Sequence, residues 1–451
     1  MKSLIRTRAA FFLAIALVLW SGPGHSARAA SLIRDAEVEN TIRTYATPLF
    51  ETAGLNARDV HIYIINDRTI NAFVAGGLNM FFNTGFLLKT RSASEVIGVI
   101  AHETGHLAGG HIARFSSKIN TANRLAMVTT ILGILTAVAT GRGDAGAAVA
   151  QGGQGLLLGN ILAYSRGQES AADQSALTLL DRTGASSAGL YSFLHTLENQ
   201  EFLSSTNQDP YVRTHPLTRD RLRLIEDHLK TSSYKDTPVA PALVEAHKRM
   251  VAKLYAFIEH PVTVLRTYGA DNDSIPARYA RAIANYRIAA LDKALPLIDS
   301  LIAAEPENPY FYELKGQMLF ENGRIRESLA PNMEATRLAP DEPLLRLGLA
   351  RSQLELNDPA LTRDAVRNLL LAIQGDPDYA FAWDQLALAY GRDGQLGLSA
   401  LAQAEAAMRR GRKKDALSHA TRAEKRLDKT SSAWLRLQDI KRAASQPDEE
   451  R

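Results

Sequence analysis

The 451-residue chain contains no cysteine. Disulfides, thiolate nucleophiles, cysteine-bound metal and a cysteine-linked lipid anchor are therefore excluded. Aromatic residues are few, at 7%. An excess of charge of one sign is also missing from most of the chain. The formal net charge of +4 arises entirely within residues 1–29, where Lys2, Arg6, Arg8 and Arg28 meet no acid. The remainder holds 48 basic and 48 acidic residues, so no footprint for nucleic acid is expected. Long apolar runs are absent as well. The run from Ala9 to Trp20 is short and is followed by Ser21, Gly22, Pro23 and Gly24, then by Ala27-Arg28-Ala29. This is the layout of a cleaved secretory signal peptide, and it predicts export of the mature chain. The run from Leu125 to Thr140 would make about 24 Å of helix, short of a ~30 Å hydrocarbon core. With the Gly/Ala-rich stretch that follows, it predicts a helical hairpin over 125–158. That hairpin would cover the functional site, touch a membrane surface or sit in the core.

Against this background one hexapeptide stands out, Ala101-His102-Glu103-Thr104-Gly105-His106. Histidines four apart on a helix lie one turn apart on the same face and can share one metal ion. Glu103 lies about 100° around the helix, near the ion but not on it, where it can take a proton from water. With 11 His and 48 acidic residues, ~0.03 chance matches to H-E-x-x-H are expected per chain, so context must support the motif. A catalytic zinc needs a third protein ligand. His111 is a poor one, since it points about 140° away from His106 on a continued helix. Glu169 and Asp173 fit better. They share a helix face at i, i+4, where like charges repel unless something positive lies between them. Glu169 would bind the metal, and Asp173 would accept the outer N–H of a ligand histidine. A solvated acidic face is the plain alternative. His215, in Thr214-His215-Pro216, sits in a loop because Pro216 disfavours helix before it. It is expected as a fourth ligand at rest, or as a donor to the oxyanion. Capping the helix that begins near Thr218 is its alternative role.

Elsewhere the pattern gives organisation. Residues 35–57 predict a helix, and 60–83 predict a small antiparallel sheet. Met80, Phe81, Phe82 and Asn83 form its last strand, expected as an exposed edge that could pair with an extended peptide substrate. From 276 onward the chain reads as repeated helix pairs. Ala282, Gly316 and Ala350 are 34 apart, as are Pro309, Pro343 and Pro377. That is the tetratricopeptide period. The expected domains are a signal peptide (1–29), a zinc metallopeptidase domain (30–227), a linker with a connecting helix (228–275) and a repeat domain (276–445). The fold class is an α+β zincin-like domain followed by an all-α solenoid.

The His-Glu-Thr-Gly-His run, Glu169-Ser170-Ala171-Ala172-Asp173, Asn83-Thr84-Gly85-Phe86-Leu87 and Thr214-His215-Pro216-Leu217 together resemble the CAAX prenyl protease/HtpX-like family of zinc metallopeptidases. The signal peptide and repeats narrow the resemblance to a periplasmic branch. It implies one Zn2+ per chain, endopeptidase activity on exported or membrane-associated proteins, and a role in outer-membrane protein assembly or quality control. The repeats would dock substrate or the assembly machinery. A repeat scaffold or chaperone-like module with a weak or inactive protease fold is the competing reading.

Overall fold

The computed structural model describes residues 31–110, 166–198 and 208–446. The expected signal peptide, His111 and the 125–158 hairpin lie outside them. Among the described residues no helix is long and apolar enough to cross a membrane.

The N-terminal part opens with β1 (Ser31–Ile33) and helix α1 (Ala36–Thr52). Asp35 caps α1 by accepting from Val38 N, and Val38, Ile42, Tyr45 and Leu49 form its buried stripe. Strands β2 (His61–Asn66), β3 (Ala72–Ala75) and β4 (Asn79–Asn83) follow. Two sequence expectations fail here. The four-stranded sheet is mixed, in the order β1-β2-β4-β3, with β2 and β4 parallel. Met80, Phe81, Phe82 and Asn83 are therefore a central strand, not an edge. The β3–β4 turn at Gly76-Gly77, with φ of 60° and 94°, folds β4 back between its neighbours. Phe81 explains why β4 belongs inside. It stacks on Tyr63 of β2 at 5.1 Å and on Phe73 of β3 at 4.9 Å. All five residues of β4 are buried, as in a strand covered on both faces.

Helices α2 (Thr84–Lys89) and α3 (Ala93–Ala108) follow, then α4 (Arg166–Thr183), α5 (Ala188–Leu197), α6 (Pro210–Thr214) and α7 (Arg219–Thr231). One core runs under the sheet and these helices, with Ile64, Phe82, Phe86, Val99, Leu180 and Phe193 at its centre. Helix α8 (Pro241–Ile258) occupies the expected linker and serves two cores. Met250 and Leu254 pack into the first, while Ala252 and Ala256 pack against Tyr279 and Ile283 of α10 (Ile275–Arg287) in the second.

After the short α9 (Pro261–Thr267) and α10, the chain alternates helices in antiparallel pairs: α11 (Leu291–Ala304), α12 (Pro309–Glu321), α13 (Ile325–Leu338), α14 (Pro343–Glu355), α15 (Pro359–Gly375), α16 (Ala380–Arg392), α17 (Leu396–Arg409), α18 (Lys413–Glu424) and α19 (Ser432–Ser445). Small residues sit where helices cross, as the 34-residue period requires; Gly316 lies against Asn332 and Ala350 is fully buried. This is a tetratricopeptide solenoid. It touches the N-terminal part through Arg34–Asp376 (2.8 Å) and through Tyr279, whose hydroxyl donates to Glu37 Oε2 (2.9 Å).

Candidate metal centre

Helix α3 begins at the Ser92 cap, which accepts from Glu95 N, and ends by presenting His102 and His106 on one face. Gly105 lies between them and is needed for close packing. A Cβ there would fall 2.8 Å from the Ala172 carbonyl oxygen, so only glycine lets α4 approach this near. That approach delivers Glu169 and Asp173. The loop after α6 adds His215, fixed by its N–H donating to Tyr211 O (2.8 Å) and by stacking of its ring on Tyr211 at 4.6 Å.

The four side chains converge within the interior. His102 Nε2 lies 3.1 Å from His106 Nε2, 3.4 Å from His215 Nδ1 and 3.4 Å from Glu169 Oε2. Glu169 Oε1 is 3.2 Å from both His106 Nε2 and His215 Nδ1. A tetrahedron with zinc-length arms has edges of about 3.3–3.4 Å. Three imidazoles and a carboxylate are also a zinc donor set. The residues present therefore fit one zinc ion. Beside them Glu103 is wholly buried, and neither of its oxygens has a hydrogen-bond partner among the described residues; His215 Nε2 lies 3.5 Å from Oε1. A carboxylate left bare in the interior has work to do on something that enters.

A family model, peptidase family M48, matches residues 33–229. These residues form an M48 peptidase domain. With its buried zinc-binding cluster, it makes the chain a metalloendopeptidase. Among curated relatives, the chain is 27% identical over 384 residues to the β-barrel assembly-enhancing protease of Yersinia pestis, covering 83% of this chain and 77% of that one. It is 25% identical over 370 residues to the protein of the same name from Escherichia coli K12, covering 80% and 73%. Metalloprotease LoiP of Escherichia coli K12 is 26% identical over 181 residues, 40% of this chain and 67% of that one.

Within the M48 domain the electrostatics are built by one residue that the sequence did not disclose. Arg221, near the start of α7, is buried and forks around both carboxylates of α4. Its Nη1 is 2.6 Å from Glu169 Oε2, its Nε is 2.6 Å from Asp173 Oδ2, and its Nη2 donates to Asp173 Oδ1 at 2.9 Å. Burial alone would raise the pKa of both acids. Arg221, with help from the histidines, outweighs burial and holds Asp173 below and Glu169 well below the ordinary carboxylate range. Asp173 Oδ1 also lies 2.9 Å from His102 Nδ1, an arrangement that turns Nε2 toward the cluster. The two metal-helix histidines diverge. Burial opposes a charge on His102, yet Asp173 and Glu169 push its pKa up to about 9. His106 is pushed down to about 3, chiefly by burial. Burial also raises Glu103 above its usual value, which improves it as a base.

Of the residues singled out from sequence, His102, His106, Glu169 and His215 meet at the centre, and Glu103 and Asp173 flank it. Met80, Phe81, Phe82 and Asn83 do not line an edge; the sheet edge packed against α3 is β3. Tyr211 and Arg221 were missed. Arg221 stands six residues after His215, behind the Thr218 cap, and only that proximity to the Thr-His-Pro-Leu run could have drawn notice.

Proposed function

We propose that the protein is a periplasmic zinc endopeptidase that cleaves exported or outer-membrane-bound proteins during their assembly or quality control, with the solenoid docking the client or a partner. The observation that carries the reading is the bare, buried Glu103 carboxylate beside a cluster of zinc-ligand geometry. The names of the similar relatives support the assembly role, and the signal-peptide layout of residues 1–29 supports export.

His102, His106 and Glu169 would hold zinc, which when bound acts as a Lewis acid and brings water at the site to a pKa of about 7. Glu103 accepts the proton of the attacking water and returns it to the leaving amine. Asp173 keeps the His102 ring in the tautomer whose Nε2 lone pair faces the centre, and Arg221 fixes both carboxylates. His215 would take the fourth position at rest; a catalytic site needs that position open, so its loop would withdraw for turnover.

Glu103→Gln tests the reading. It should keep one zinc per chain by elemental analysis while casein cleavage falls by about 10²–10⁴-fold. Undiminished cleavage in that variant would assign the chemistry elsewhere. A wild-type chain loaded with zinc yet inert on unfolded substrates would favour the scaffold reading.

A further inference from the structure

A cavity of about 810 Å3 lies at the joint between the M48 domain and the solenoid, well away from the zinc cluster. This is within the ~300–1,000 Å3 range of enclosed ligand sites. One wall is β1, whose Ser31 and Ile33 line the space. β1 pairs only with β2 among the described strands, so its other edge keeps backbone donors and acceptors for an added strand. The opposite wall is the solenoid, through α12, α14 and the start of α16.

The cations of the wall are largely committed. Arg34 holds Glu39 and Asp376, Arg68 holds Glu259, Lys253 holds Asp35, and Arg287 donates to the carbonyls of Ala256 and Glu259. Arg351 differs. Its guanidinium lies over the rings of Phe320 (4.9 Å) and Phe381 (5.7 Å), and no carboxylate among the described residues pairs with it. Stacking fixes a guanidinium in plane and leaves its N–H fork free to receive a carboxylate.

We propose that this cavity holds an extended segment of a client polypeptide, its backbone added to the β1 edge and an acidic side chain seated on Arg351 between Phe320 and Phe381. The strand edge calls for an extended chain, and the unmatched cation calls for an anion on it. The inference rests on the reading that the solenoid docks protein clients, and it names the chemistry of what is docked.

The test uses the full mature chain carrying Glu103→Gln, so that binding is read without hydrolysis. The probe is a fluorescein-labelled, C-terminally amidated peptide of alternating Val and Thr with one central Glu, followed by anisotropy. Arg351→Gln should weaken binding by about 10–100-fold, the range for a hydrogen-bonded charge. Changing the probe Glu to Gln should cost the wild-type cavity as much, and the two changes together no more than either alone. Unaltered affinity in Arg351→Gln, losses that multiply, or a probe that fails to bind would each overturn the proposal. Should Arg351→Gln melt early, Arg351→Lys retains the charge and must still prefer the Glu probe; indifference in that variant also refutes it. Failure here leaves casein cleavage by the wild-type chain untouched, so it is distinguishable from failure of the peptidase reading.

Discussion

Arginine meets carboxylate in two different ways in this molecule. At the metal centre Arg221, only 4% exposed, grips Glu169 and Asp173 from a helix about fifty residues earlier in the chain. Along the solenoid Arg324–Glu327, Arg337–Glu334 and Arg367–Asp364 are neighbours on one helix turn and face water. The second kind forms in any helix with that spacing and is screened by solvent. The first exists only when the whole domain has folded, and in the dry interior neither side can lose its partner cheaply. The same two residue types therefore do structural and chemical work in one place and keep a surface soluble in the other.

The contrast can be tested by breaking it. The largest effect on stability is expected for Arg221→Ala, which leaves two buried carboxylates with His102 as their remaining charged partner. It should cost about 3–5 kcal/mol in chemical denaturation of the zinc-free chain. A variant as stable as wild type would remove the distinction between the two kinds of pair.

The next effect concerns protons. His102, paired in the interior with Asp173 and Glu169, has its pKa raised to about 9 in the metal-free chain. Zinc must displace that proton, so below pH 9 binding should release it, and apparent affinity should fall about tenfold for each pH unit lowered. Calorimetry in two buffers of different ionisation heat reads the release directly. The solvent-facing pair His195–Glu198 supplies the control, because its removal should leave the proton count unchanged. Zinc binding at pH 7 without proton release would contradict the electrostatic account.

Smaller still is the effect of His215→Ala. With the fourth position freed, cleavage of casein should rise at least about 5-fold, the lower end of a linked two-state equilibrium. A rate equal to wild type would show that His215 does not close the site. The smallest effect is expected for Arg367→Ala on the solvent side of α15, below about 1 kcal/mol in the same denaturation assay.

What could be read from the sequence follows from how far apart the cooperating residues lie. His102, Glu103 and His106 are set by one helix turn, and Glu169 with Asp173 by another, so local periodicity discloses each set. The 34-residue spacing of Ala282, Gly316 and Ala350 likewise repeats one local crossing, and the solenoid follows from it. Strand order is not local. Nothing in Met80–Asn83 says that the chain crosses over and returns between β2 and β3, and an edge was expected where a centre stands. Arg221 is hidden for the same reason. Its partners lie 48 and 52 positions earlier, and an arginine near a helix start reads as surface until α4 and α7 are packed together.

Helix α8 bears one further thought. Its Met250 and Leu254 are embedded in the peptidase interior, while Ala252 and Ala256, on another side of the same rod, are embedded among the first repeats. A rod clamped along two flanks cannot swivel for one owner and stay still for the other. Bending the superhelix at this end would therefore press on the apolar core of the peptidase domain, and severing the chain on either side of this rod would strip an apolar flank from whichever half keeps it.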